Sequence, residues 1–276
     1  MLITKHLDSP IKRHGGKTYL SDWICSHIPE NTTHYVEAYA GGLSVLLRRN
    51  PEGVSEVVND LDGELMNFWN TLRDEAAFPE FVRKIDATPF SSEEFNAAGT
   101  ADPTDSHVDR AVKFFVSCRQ SRQGLQTCLA TLSKNRTRRG MNEQVSSWLT
   151  AIDGLPEIHS RLKRVVIVND DAVKIIQRED SANSFFYLDP PYVHETRVAR
   201  NAYAYEMGTD DHQRLLETLV EVKGRFLLSG YRSPLYDEFA DRHDWTRVDR
   251  EIDCKASSAK VKPLRVESLW MNYNLN

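Results

Sequence analysis

A chain of 276 residues can bury a sizeable core, as one large domain or as one domain carrying an insertion. Its apolar runs are only a few residues long, far below the ~20 needed to cross a bilayer, and M-L-I-T-K-H-L-D at the start lacks the apolar stretch of a secretory leader. A net charge of −5 argues against a uniformly basic nucleic-acid binder, and Cys25, Cys118, Cys128 and Cys254 lack paired metal-ligand spacing, so we expect a cytoplasmic protein with no metal, no disulfide and no membrane partner.

Gly15-Gly16-Lys17 comes first and is not a phosphate loop, because G-x-x-x-x-G-K-[ST] needs a glycine where Ile11 stands. The run His34–Ala40 then reads as a buried strand, and it meets Gly41-Gly42 before a helix expected over Gly42–Arg49. A second strand, Ser55–Asn59, delivers Asp60, 19 residues beyond Gly41, and Gly63–Arg73 reads as the next helix. An acid about 20 residues past a glycine turn suits the ribose hydroxyls of a nucleotide cofactor. G-x-G-x-x-G is absent, so a nucleoside without pyrophosphate fits better than NAD; Asp60 also fits a plain turn or cap.

From Glu75 to Lys163 the alternation of strand and helix stops and the pattern is mostly helical. The expected organisation is one domain over 1–74 and 164–276, with 75–163 inserted. Between Arg110 and Asn142 there is no acid but eight cations: Arg110, Lys113, Arg119, Arg122, Lys134, Arg136, Arg138 and Arg139. Such a run in an acidic protein suits a face for a polyanion, or a solvated helix face.

The alternation resumes with strands over Arg164–Val168, Ser184–Leu188 and Arg225–Ser229, and a helix over Asp210–Val222 capped by Asp210. Trp245–Ile252 and Arg265–Tyr273 read as an antiparallel pair closing the sheet. The fold class is therefore α/β, a doubly wound and mostly parallel sheet. Its fourth strand runs straight into Y-L-D-P-P-Y (187–192). The two prolines can neither pair in a sheet nor continue a helix, so Asp189, the Pro190 carbonyl and the Tyr192 ring are held stiffly at the carboxyl edge. A rigid strand-end turn without chemistry is the plainer reading of the same four residues.

Taken together, P-I-K-R-H-G-G-K (10–17), Y-V-E-A-Y-A-G-G (35–42), V-N-D-L-D-G-E-L (58–65), Y-L-D-P-P-Y (187–192), L-L-S-G-Y (227–231) and E-S-L-W-M-N-Y (267–273) resemble the Dam-like, DPPY-type adenine-specific DNA methyltransferases, particularly phage and prophage forms. The resemblance implies an S-adenosylmethionine-dependent methyltransferase fold and transfer of a methyl group to N6 of a flipped adenine in double-stranded DNA. It places cofactor contacts at Arg13, Lys17, Asp60 and Asp189, aligns Glu37 and Gly41 with the glycine-turn motif, and puts Asp171, beside Asp170, near the cofactor's adenine. Asp189, Pro190 and Tyr192 become the catalytic set: the first two accept hydrogen bonds from the target amine and the ring stacks on the base.

The same resemblance makes 75–163 a target-recognition region, with Arg119, Arg122, Lys134, Arg136, Arg138 and Arg139 as DNA contacts. The loop Lys255–Lys262, with Lys255, Lys260 and Lys262 among serines, reads equally as a second DNA contact or as a mobile surface loop. A bacterial or phage-encoded monomer is expected. Two departures stand out: Arg13 replaces the family's usual Trp or Tyr, and Ala38-Tyr39 replaces its Pro-Phe. The competing readings are another acceptor, an RNA adenine, a cytosine amine or a protein amide, and a DNA-binding relative without catalysis.

Overall fold

The computed structural model describes residues 6–13, 15–100, 102–193, 206–253 and 264–275. The chain divides into two compact units, one of Met1–Cys25, Gly41–Asn50 and Asp62–Asn169, the other of Ser26–Ala40, Pro51–Leu61 and Asp170–Asn276. Elements are numbered along the whole chain. Among the described residues no helix is long and apolar enough to cross a membrane.

The first unit is mainly helical: α1 (Ser21–Cys25), α2 (Gly63–Arg73), α3 (Ala77–Asp86), α4 (Ser92–Ala98), α5 (His107–Gln120), α6 (Glu143–Asp153) and α7 (Leu155–Leu162), with β3 (Thr137–Arg138), β4 (Met141–Asn142) and β5 (Val165–Val168). Helix α2 starts where the Asp62 carboxylate accepts from the amides of Glu64 and Leu65, which satisfies two amides that lack a helical partner. Helix α5 starts on a reciprocal Ser106/Asp109 capping box. Phe68 of α2 packs against Phe81, Phe114 and Phe115 at ring separations of 5.5–6.0 Å, and Phe115 meets Trp148 at 5.3 Å. These rings form the core of the unit.

The helix expected over Gly42–Arg49 is not formed; the segment is a series of turns. Leu43 sits in the left-handed region (φ 54°), two residues after Gly41 (φ 47°), which breaks the helical path at its start. The Leu46 carbonyl accepts both from the Arg49 amide at 3.3 Å, a turn-type bond, and from the buried Arg161 guanidinium at 3.2 Å. Leu43, Val45, Leu46 and Leu47 are all buried, so this short apolar run has no solvent face to give it helical periodicity.

The second unit holds β1 (His34–Glu37), β2 (Ser55–Asn59), β6 (Ser184–Leu188), β7 (Arg225–Gly230), β8 (Thr246–Asp253) and β9 (Leu264–Met271), in the sheet order β2-β1-β6-β7-β9-β8. Neighbours from β2 to β7 are parallel, while β9 pairs antiparallel with both β7 and β8. This is the mostly parallel α/β sheet with an antiparallel edge that the apolar runs imply. Strand β6 is buried at every position, as expected of a strand covered on both faces.

Helices α8 (Ala172–Glu179), α9 (Thr209–Glu221) and α10 (Pro234–Arg242) complete this unit. Asp210 does not cap α9. Gly208 occupies the cap position and the Asp211 carboxylate reaches back to its amide at 2.9 Å, so the capping acid is the neighbour of the one expected. The loop Lys255–Lys262 lies outside the described residues.

Candidate active site

In the second unit the acids gather at the carboxyl ends of the parallel strands, the edge where open α/β sheets bind ligands. Glu37 ends β1; it is 1% exposed and accepts 2.6 Å from the Tyr35 hydroxyl. The register pairs Glu37 with Val58 on one side and Tyr187 on the other. Asp60 and Asp189 therefore each stand two residues past a partner of Glu37, on strands flanking β1. Both are half-buried.

Asn59 fixes this edge. Its amide donates to the Ala38 carbonyl (3.1 Å) and the Asp170 carbonyl (3.0 Å), and its oxygen accepts from the Asp170 amide (2.9 Å). The two strand ends and the turn into α8 thus share one buried side chain. Asp171 caps α8 by accepting from the Lys174 amide, and it pairs with both terminal nitrogens of Arg214 at 2.9 and 3.1 Å. Partial burial works to raise its carboxyl, but the Arg214 contacts and the Lys174 amide outweigh this and hold it below the usual range.

The turn after β6 is braced from two directions. One Asp189 carboxylate oxygen accepts from Ser229 Oγ at 3.0 Å, and Ser229, on β7, is wholly buried. Ser229 has a single proton; with that proton on Asp189, the Tyr187 hydroxyl 3.3 Å away is the donor to Ser229. Tyr192 is 7% exposed, donates its hydroxyl to Glu267 Oε1 at 2.5 Å, and meets the Tyr231 ring edge-to-face at 4.5 Å. Pro190 between them is buried.

In the first unit Arg13 donates to Asp62 at 3.1 Å, and its guanidinium lies 5.8 Å from the centre of the Phe114 ring. The buried Lys17 donates to the Gly15 carbonyl at 3.2 Å. Gly41 has a left-handed φ of 47° and nothing within 4 Å of where a Cβ would be, so conformation rather than crowding asks for glycine there. Its carbonyl accepts from the Trp69 indole.

The basic segment of this unit forms a small hairpin. Strands β3 and β4 pair antiparallel around Arg139-Gly140, both at positive φ (56° and 74°), the two-residue turn that matches strand twist. Arg122, Lys134, Arg136, Arg138 and Arg139 are exposed on and around it. Arg136 lies 3.9 Å from Glu143 and Arg139 3.6 Å from Asp153. Arg119 points elsewhere: it is half-buried and donates to the carbonyl and hydroxyl of Ser147, and burial pushes its guanidinium down to about 10. Gln123, Gly124 and Gln126 are all left-handed, and a Cβ on Gly124 would fall 2.4 Å from the Lys12 carbonyl.

Sequence reasoning did not single out Ser229, Glu267, Asn59, Arg214 or Lys12. Ser229 and Glu267 lie within the quoted L-L-S-G-Y and E-S-L-W-M-N-Y stretches, and a polar residue inside a strand with no solvent face was the available signal.

The chain is 26% identical over 239 residues to the type II methyltransferase M1.LlaDCHI of Lactococcus lactis subsp. cremoris, covering 81% of each chain. It is 21% identical over 257 residues to the type II methyltransferase M.CviBI of Paramecium bursaria Chlorella virus NC1A, covering 91% of this chain and 93% of that one. A family model matches residues 14–251, more than half of the chain, and on that match the chain belongs to the D12 class N6 adenine-specific DNA methyltransferases.

Proposed function

We propose that the enzyme takes its methyl group from S-adenosylmethionine and delivers it to the exocyclic amine of an adenine flipped out of duplex DNA into the turn Asp189–Tyr192. The braced geometry of that turn is the observation that carries the reading. The amine is a poor nucleophile because its lone pair is delocalised into the ring. The Asp189 carboxylate and the Pro190 carbonyl accept its two N–H groups, which draws the nitrogen towards tetrahedral geometry and frees the lone pair. Ser229 already holds one Asp189 oxygen, so the carboxylate meets the amine in a fixed orientation. Asp189 acts as an acceptor, and the amine loses its proton to solvent after transfer. Tyr192 supports the base by stacking, worth on the order of 1–3 kcal/mol.

The donor set at the strand ends fits the cofactor. Acids at the ends of neighbouring parallel strands, Glu37 and the half-buried Asp60, suit a hydroxylated ribose. S-adenosylmethionine supplies a methyl group already activated on a sulfonium. In the first unit, the family resemblance supports Arg13, Lys17 and Gly41 as further cofactor contacts. Asp171, anchored by Arg214, is the acid we assign to the adenine end of the cofactor. The hairpin with Arg136, Arg138 and Arg139, flanked by Arg122 and Lys134, serves as the DNA-facing part of the 75–163 recognition region, and Arg119 braces it through Ser147.

The test is transfer from labelled S-adenosylmethionine to mixed-sequence duplex DNA, followed by nucleoside mass spectrometry. Methyladenine is expected, and Asp189→Ala should abolish it while the protein melts as the parent does. Methylcytosine, transfer to RNA alone, or full activity in Asp189→Ala would each overturn the reading.

A further inference from the structure

We propose that Glu267 is the positioning residue of the methyl-transfer site: its buried carboxylate pins the Tyr192 hydroxyl, fixes the axis of that ring and enriches its face with electrons. This rests on the reading above, in which Tyr192 stacks on the target base. Glu267 stands on β9, 75 positions after Tyr192 in the chain, and is 1% exposed. The 2.5 Å O–H···O contact falls in the range of a hydroxyl donating to an ionised carboxylate, about twice as strong as a neutral hydrogen bond. A buried carboxylate is expensive unless it is well satisfied, so its presence behind a phenol needs a reason.

The surrounding geometry gives one. Tyr192 is tethered at its Cβ by the proline-stiffened turn and at its far end by Glu267, so the ring cannot swing about either end. Tyr231 packs edge-to-face on it at 4.5 Å, and the Arg265 guanidinium, also from β9, stands 5.1 Å from the centre of the Tyr231 ring. The ring is therefore placed before any base arrives, and little ordering remains for the bound state. Drawing the phenol proton towards a carboxylate also raises the electron density of the ring. As the methyl group arrives, the amine carries positive charge until it sheds its proton, and an electron-rich face beside it favours that state.

The experiment compares the parent, Glu267→Gln, Tyr192→Phe and the double variant by single-turnover methyl transfer at saturating S-adenosylmethionine. Glu267→Gln keeps the shape and removes the charge. About a tenfold fall in rate is expected in each single variant, with cofactor affinity by calorimetry unchanged and the double variant no more than twofold below either single. A Glu267→Gln rate within twofold of the parent, or a double variant at the product of the two single losses, overturns the proposal. If Glu267→Gln does not fold, Tyr192→Phe leaves β9 untouched and decides alone: undiminished rate refutes. The ultraviolet resonance Raman tyrosine doublet, read without substrate, should lose a strongly donating hydroxyl in Glu267→Gln, and an unchanged doublet overturns the bond itself. Absence of methyladenine from the parent, by contrast, defeats the methyl-transfer reading and not this contact.

Discussion

Replacing Ser229 by alanine removes the hydroxyl that β7 donates to Asp189. Ser229 is wholly buried and its hydroxyl donates to Asp189 Oδ1 at 3.0 Å, a shorter contact than the 3.5 Å to the Leu188 carbonyl. A hydrogen bond to a charged group contributes about 1.5–3 kcal/mol. Asp189 is itself half-buried, so water can reach part of its carboxylate and the lower end of that range applies. About 1.5 kcal/mol appearing only in the transition state is roughly a tenfold loss of rate. The assay is single-turnover transfer to a target duplex at saturating cofactor, with DNA affinity followed separately by anisotropy. The expected pattern is a tenfold lower rate with affinity for DNA and cofactor within twofold of the parent. A rate within twofold of the parent, in a protein with unchanged melting, would mean that Asp189 orients itself and that the bracing argument is wrong.

Asp60→Ala should weaken S-adenosylmethionine binding about 10- to 100-fold, the loss of one carboxylate that accepts from hydroxyls, and unchanged affinity by calorimetry would remove Asp60 from the cofactor site. Neutralising Arg136, Arg138 and Arg139 together should lower the slope of log affinity against log salt by up to about 2.7, at ~0.9 per phosphate contact, whereas an unchanged slope would place the DNA elsewhere. Lys12 gives a pH-dependent test: burial first, then the nearby Arg119, push its ammonium from 10.5 down to about 8, against an opposing pull from Glu143. Folding disfavours its charged form, so the full penalty is present below about pH 8 and is relieved as pH rises towards 10.5. Lys12→Met should therefore raise Tm by about 2–4 °C at neutral pH, with an advantage that shrinks through that window; a constant advantage would assign the effect to packing.

Strands β2 and β6 were legible to the residue because a strand buried on both faces must be a continuous apolar run, and the turn residues after it mark its end. The positions of Asp60 and Asp189 just past strand ends were legible for the same reason, whereas Glu37, expected inside a longer strand over His34–Ala40, ends β1. Gly42–Arg49 was not, because four buried apolar side chains in a short segment fit a helix and a set of turns equally well, and the left-handed Leu43 leaves no mark on composition. The direction of Arg119 was hidden too: charge in a sequence does not say that a guanidinium turns inward to Ser147. The partnership of Glu267 with Tyr192 depends on β9 being placed beside β7, a long-range pairing that local pattern cannot announce.

Strand β9 follows β8 in the chain yet lies between β7 and β8. While the polypeptide is being made, β6 and β7 can pair as soon as both exist, but β8 emerges with no neighbour to join among the described strands. Until Leu264–Met271 arrives, β7 keeps an open edge, the kind of surface that invites association with other chains. The strand that then seals it brings the carboxylate for Tyr192 in the same step. Assembly of the sheet and completion of the tyrosine anchor are thus one event, and an unfinished molecule has neither.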